Sequence, residues 1–192
     1  DPRLLDIAEQ LVGPDIALFA ADYIAKPPSH GRKIAWHQDG SYWPLDPMNV
    51  VTLWVAYTVS NPENGCLRII PGTQHLTLQE RKPNAELPEV LLTGMDQSLA
   101  DEANAIDIVL APGDVSVHHP NIIHGSNANT SSYWRRGGTY QYIPTTTRIL
   151  NEAWASFLFR GQAVAGINAY RDFPTYIAGK HFPFRGCEAK SL

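Results

Sequence analysis

Cysteine is scarce in this sequence: Cys66 and Cys187 are the whole supply in 192 residues. Two cannot build a disulfide framework, so the chain depends on a buried core, and the pair suits a reducing compartment. A long apolar run is missing as well; no stretch reaches 18 residues, and no membrane span is expected. A basic excess is also lacking. Fifteen Lys and Arg stand against 19 Asp and Glu, and the net charge of -4 offers nucleic acid no sequence-independent attraction. Internal repeats and low-complexity segments are absent, which excludes a solenoid. The chain opens on Asp1 rather than Met and carries no signal-peptide pattern. We expect an N-terminal segment to be missing and, with no targeting signal in view, a cytoplasmic location.

What is present suffices for one domain spanning 1–192, with its core within about 13–150. Hydrophobic residues make up 44%, too many for a disordered chain of such small net charge. Five Trp, eight Tyr and six Phe supply core filling and candidate cavity walls.

The pattern along the chain is mostly β. Leu4, Leu5, Ile7, Ala8, Leu11 and Val12 recur at helical spacing, with Asp1 and Pro2 before them and Gly13 after, so a short helix opens the chain. Strands are expected over Ile16–Ala25, Val50–Thr58, Cys66–Ile70, Ile106–Leu110, Val115–His119 and Thr139–Ile143. Pro27-Pro28, Asn61–Gly65, Pro71-Gly72 and Ala111–Asp114 punctuate them. Short strands joined by such turns predict a sandwich or barrel rather than a parallel α/β sheet. Residues 73–104 read as an irregular lid or binding loop. A short helix capped by Asn151 is expected over 151–160, and the aromatic tail after Gly161 reads as a strap over the core.

Chemistry enters at His37-Gln38-Asp39. On an extended backbone residues i and i+2 share a face, so the His37 imidazole and the Asp39 carboxylate can converge on one point. A second imidazole from far along the chain would complete a two-His, one-carboxylate metal face with three open positions, the set that holds Fe(II). His118, His119 and His124 are the candidates. Only one of His118 and His119 can face inward from a strand, while Gly125 after His124 permits close approach of a ligand. Arg135 and Arg136 follow. A guanidinium fork suits a carboxylate-bearing cosubstrate, and Ser126 can add a hydroxyl bond. Lys26, Arg32 and Lys33 lie upstream, where they would meet an anionic substrate or form a solvated basic turn. Tyr42 and Trp43 are candidate pocket walls.

Taken in order, these blocks resemble the phytanoyl-CoA dioxygenase (PhyH-like) family of Fe(II)/2-oxoglutarate-dependent oxygenases. The resemblance runs from about Gly13 to Ile149 and rests on Lys26-Pro27-Pro28, Trp36-His37-Gln38-Asp39, Tyr42-Trp43-Pro44, Trp54, Asn64–Leu67, Ile70–His75, Pro112-Gly113-Asp114, His119-Pro120, His124-Gly125-Ser126 and Arg135. It implies a double-stranded β-helix, the jelly-roll also found in cupins. It implies that His37, Asp39 and His124 bind iron, that Arg135 and Ser126 hold the distal carboxylate of 2-oxoglutarate, and that Trp54 lines the cosubstrate pocket. Gln38, between two ligands, is expected to point to the other face and to support the cofactor site indirectly. Related halogenases carry a small residue where Asp39 stands, so Asp39 implies hydroxylation of an unactivated C–H bond in a small metabolite or acyl-type substrate. O2 is consumed, succinate is formed, and ascorbate is the expected stimulant. The alternatives are a non-redox jelly-roll binding module holding Zn or Mn, and an inactive fragment.

Overall fold

The opening helix forms where the apolar spacing predicts it, as α1 (Pro2–Val12), with the Asp1 carboxylate accepting from the Arg3 amide at 3.0 Å. This computed structural model describes residues 1–83 and 93–181. Strands follow in chain order as β1 (Ile16–Lys26), β2 (Ile34–His37), β3 (Leu45–Asp46), β4 (Val51–Ala56), β5 (Leu67–Ile69), β6 (Lys82–Pro83) and β7 (Thr93–Gly94). The remainder are β8 (Ile106–Ile108), β9 (Val115–His118), β10 (His124–Ser126), β11 (Arg135–Pro144), β12 (Arg148–Ile149) and β13 (Phe157–Arg160).

Two antiparallel sheets carry the architecture. One has five strands in the order β13-β1-β11-β4-β9, the other four in the order β2-β10-β5-β8. They face one another as a jelly-roll, with short two-stranded pieces β3–β12 and β6–β7 at the margins. The five-stranded sheet has two differently used faces. Val51, Leu53 and Tyr142 point outward and pack with Ala8, Val12 and Ile16 into a core cluster under α1. The alternating positions Thr52, Trp54, Thr139 and Gln141 point inward; the last three line a cavity, and Thr52 donates to Asp39 in its wall. This alternation is why Val51–Ala56 must be a strand: only period 2 puts Val51 and Leu53 under the helix while turning Thr52 and Trp54 to the other side.

Two expectations are corrected. Residues 151–160 do not form a helix; after a turn at Asn151–Trp154, Phe157–Arg160 becomes β13, pairing antiparallel with β1. An unsatisfied sheet edge outcompeted the weak local helix signal. Trp43 is no cavity wall either: it packs edge-on against Phe19, ring centroids 5.9 Å apart, in a separate cluster with Ala17, Leu45 and Ile143.

The described parts of the 73–104 loop dock on the four-stranded sheet. Met95 enters a cluster with Trp36, Ile70 and Ile123. The Gln97 amide accepts from the Trp36 backbone N–H and donates to its carbonyl, both at 2.9 Å. After Gly161 the described chain has no regular element, and Phe173 stacks on Phe157 and Phe159 as a strap would. Cys187 lies outside the described residues. Among the described residues, no helix is long and apolar enough to cross a membrane.

Candidate active site

β2 ends at His37, yet the backbone stays extended through Gln38 (φ -118°, ψ 121°), so His37 and Asp39 leave the chain on one side. Asp39 then opens a 3-10 turn rather than continuing a strand. Gly40 N–H donates to the Pro120 carbonyl at 2.9 Å and Ser41 N–H to Gln38 at 3.1 Å, which draws the chain round. On the neighbouring strand, His124 is the direct register partner of His37, and the two rings sit 4.1 Å apart.

The Asp39 carboxylate lies between them. Its Oδ1 is 3.5 Å from His37 Nε2 and 3.6 Å from His124 Nε2. One donor atom from each of the three residues falls within 4.8 Å of the other two. The far side of each ring decides its tautomer. His37 Nδ1 faces the Ala35 carbonyl at 2.8 Å, and His124 Nδ1 faces the Ile122 carbonyl at 3.0 Å. A carbonyl can only accept, so each ring carries its hydrogen on Nδ1 and presents a bare Nε2 lone pair to the centre.

Protonation states agree. Burial, aided by the His37 ring, pushes His124 down to about 3, so the imidazole is neutral. Burial pushes the Asp39 carboxyl up, but the imidazoles of His124, His118 and His37 outweigh it and hold it well below the usual carboxylate range. Two imidazoles that turn Nε2 to a common point, that of His124 neutral, and one carboxylate fit a divalent metal.

Arg135, at the start of β11, is 2% exposed. Its Nε and Nη2 both donate to the Gly65 carbonyl, at 3.0 and 2.8 Å, and its guanidinium lies 5.1 Å from the centre of the Trp54 ring. The turn supplying that carbonyl was legible as Asn61–Gly65. Asn61 and Asn64 cap each other reciprocally, and Gly65 adopts a left-handed conformation (φ 75°) that aims its carbonyl inward. Arg136 faces the opposite way, 4.5 Å above the Trp134 ring.

Sequence reasoning left Lys26 between an anion contact and a solvated turn; the structure buries it at 3% exposure. Its Nζ donates to Ser126 Oγ at 2.7 Å and also to the Asn127 carbonyl. Burial, then the nearby Arg135, lower its pKa to about 7, with Cys66 acting the other way. His37, Asp39, His124, Trp54, Ser126, Arg135 and Lys26 all line one cavity of about 860 Å³, joined by Arg32, His118, Thr139 and Gln141.

Other predicted positions fall elsewhere. Gln38 turns away: its amide donates to Asn121 O at 2.8 Å and accepts from Gln79 N–H at 2.8 Å, fastening two loops behind the site. Tyr42 contacts His37 edge-on at 6.1 Å and donates to the Thr93 carbonyl. Of the adjacent pair, His118 is the inward one, while His119 accepts from the Asn121 amide at 3.1 Å.

The phytanoyl-CoA dioxygenase (PhyH) family model matches residues 1–137. The chain belongs to the phytanoyl-CoA dioxygenase family. Among PhyH-family relatives, the peroxisomal phytanoyl-CoA dioxygenase of Bos taurus is 33% identical over 146 residues, covering 70% of this chain and 42% of the relative. The ectoine dioxygenase of Sphingopyxis alaskensis is 29% identical over 163 residues, covering 78% and 53%. The chain therefore spans about half the length of the curated relatives it matches. Solved structures agree on the jelly-roll. The non-heme monooxygenase ThoJ superposes with a TM-score of 0.77 at 27% identity, over 90% of this chain and 63% of that one. EctD from S. alaskensis, solved with 2-oxoglutarate and 5-hydroxyectoine, gives 0.64 at 25% identity, over 78% and 51%.

Proposed function

We propose that this chain forms the catalytic core of an Fe(II)/2-oxoglutarate-dependent oxygenase that hydroxylates a small molecule. The observation that carries this reading is the sharing of one cavity by a His, His, carboxylate cluster and two buried basic side chains, Lys26 and Arg135. His37, Asp39 and His124 would hold the metal from one side. Bound together, Fe(II), 2-oxoglutarate and O2 supply an oxidant able to insert oxygen into an unactivated C–H bond, with release of succinate and CO2.

The chain's own task is placement and exclusion of water. The Arg135 guanidinium, fixed by the Gly65 carbonyl and the Trp54 ring, presents its remaining donors in a set plane, as carboxylate recognition needs. Ser126 and Lys26 complete an anion-binding end for the distal carboxylate. The cavity wall mixes polar side chains (Thr139, Gln141 and His118) with apolar ones (Ile24, Ile34, Trp54 and Leu67), so it offers a substrate both hydrogen bonds and apolar contact. Small-molecule substrate and O2 are the partners, with no role for nucleic acid or membrane. A free, buried Cys66 is consistent with the cytoplasm as the compartment.

A non-redox metal-binding module would use the same three ligands. It gives no reason to bury Lys26 and Arg135 side by side, each at a desolvation cost, with no acidic partner among the described residues. The test is incubation of the protein with Fe(II), ascorbate, 2-oxoglutarate and a broad metabolite pool. Succinate should form, with a product heavier by one oxygen atom. No succinate under any condition would overturn the oxygenase reading.

A further inference from the structure

Three histidines surround Asp39, and two of them face it with a lone pair. The third, His118 on β9, is different. It is 8% exposed, its ring centre is 5.0 Å from that of His124, and its Nε2 lies 3.7 Å from Asp39 Oδ2. That is the carboxylate oxygen turned away from His37 and His124, which both approach Oδ1. The two oxygens of Asp39 thus have separate surroundings. Oδ1 meets the imidazole pair; Oδ2 meets His118 and, at 3.5 Å, the hydroxyl of Thr52. Thr52 and His118 are direct register partners on β4 and β9, so one rung of the five-stranded sheet faces the turn that follows β2 of the opposite sheet.

The tautomer argument separates His118 from the other two. His37 and His124 each place Nδ1 against a backbone carbonyl. His118 Nδ1 is buried and has no hydrogen-bond partner among the described residues. With no acceptor at Nδ1, the ring hydrogen that finds a partner is one on Nε2, which faces a carboxylate that can only accept. At 3.7 Å, ion-pair rather than hydrogen-bond distance, His118 turns that N–H toward Asp39, where its neighbours turn their Nε2 atoms to a common metal point.

We propose that His118 is a positioning residue for the metal centre: with Thr52 it occupies Asp39 Oδ2, leaving Oδ1 as the single ligating oxygen. This rests on the metal-centre reading above. Holding a ligating carboxylate through its other oxygen raises metal affinity, and loss of such support typically costs about 10–100-fold. It also keeps the carboxylate from swinging to chelate through both oxygens, which would consume a coordination position that the cosubstrate or O2 needs.

The test titrates the full chain, without cosubstrate, with Co(II) alone, following affinity and the visible d–d bands. H118Q keeps an N–H donor near the Nε2 position; H118L removes it; H118N has an amide too short to reach. The expected result is H118Q within about 3-fold of wild type, H118L and H118N weaker by about 10–100-fold with altered bands, and similar thermal midpoints for the metal-free proteins. Should H118L not fold, the contrast between H118Q and H118N decides. Wild-type affinity and spectrum in H118L or H118N would overturn the proposal, and so would H118Q as weak as H118N. A wild-type chain that binds no Co(II) would sink the metal centre itself, a distinguishable failure.

Discussion

Lys26 and Arg135 are direct cross-strand partners in the β1–β11 ladder, two cations set opposite one another and both buried. Like charges in that relation destabilise a sheet, and among the described residues no salt bridge joins either to a carboxylate; their side chains donate to Ser126 and to the Gly65 carbonyl. The arrangement is costly in the free protein, and under the proposed function a dicarboxylate entering the cavity would offset that cost.

The first expected consequence concerns pH. Lys26 has a folded pKa of about 7 against an ordinary 10.5. Between those values the unfolded chain binds a proton that the folded chain does not, so stability of the free protein should rise with pH through that window. Chemical denaturation at pH 7 and pH 10 should show this rise, and Lys26→Met should flatten it. Affinity for 2-oxoglutarate should move the other way, weakening as pH rises and Lys26 loses its charge.

The two adjacent arginines should separate cleanly. Arg135→Ala removes charge-assisted bonds worth about 1.5–3 kcal/mol each, so the 2-oxoglutarate requirement should rise roughly 10–100-fold. Arg136, stacked outward on Trp134, should change it by less than about 2-fold when replaced by Ala. Calorimetric titration of 2-oxoglutarate into the Ni(II)-loaded proteins measures both, and equal losses would show that the wrong guanidinium was chosen.

Removing the carboxylate should be felt at the metal first. Asp39→Ala leaves two imidazoles, and Co(II) binding should weaken by about 100-fold or more, with no succinate formed from 2-oxoglutarate in the presence of Fe(II). His37→Ala should behave alike. A variant that kept wild-type metal affinity would remove that residue from the ligand set.

Gly137 is a packing probe for the same region. A Cβ there would stand 2.3 Å from the Trp54 ring, so Gly137→Ala must displace the indole on which Arg135 lies. A loss of about 1–3 kcal/mol in stability is expected, along with weaker 2-oxoglutarate binding and unchanged Co(II) affinity. Tryptophan fluorescence would report the displaced ring.

Much of this was legible before any coordinates. The β-branched run at Val51–Ala56, the apolar spacing of Leu4–Val12 and the turn at Asn61–Gly65 each follow from local chemistry, and each forms. His37-x-Asp39 converges as an extended backbone dictates, although a turn intervenes at Asp39. What escaped was set by pairing across the molecule. Lys26 reaches Ser126 over a separation of 100 residues, and neither position alone signals the other. His118 and Thr52 become significant only because β9 lies beside β4 and both face Asp39, in the turn after β2. The residues at Phe157–Arg160 became a strand because β1 had an open border, a fact no local window contains.

One modest side chain has a wider consequence. The Gln97 amide satisfies both the N–H and the carbonyl of Trp36, on the outermost strand of the four-stranded sheet, immediately before His37. A single glutamine thereby plays the part of an absent neighbouring strand at that point. The border that carries His37 is therefore closed at Trp36, and a strand adding there would first have to displace Gln97.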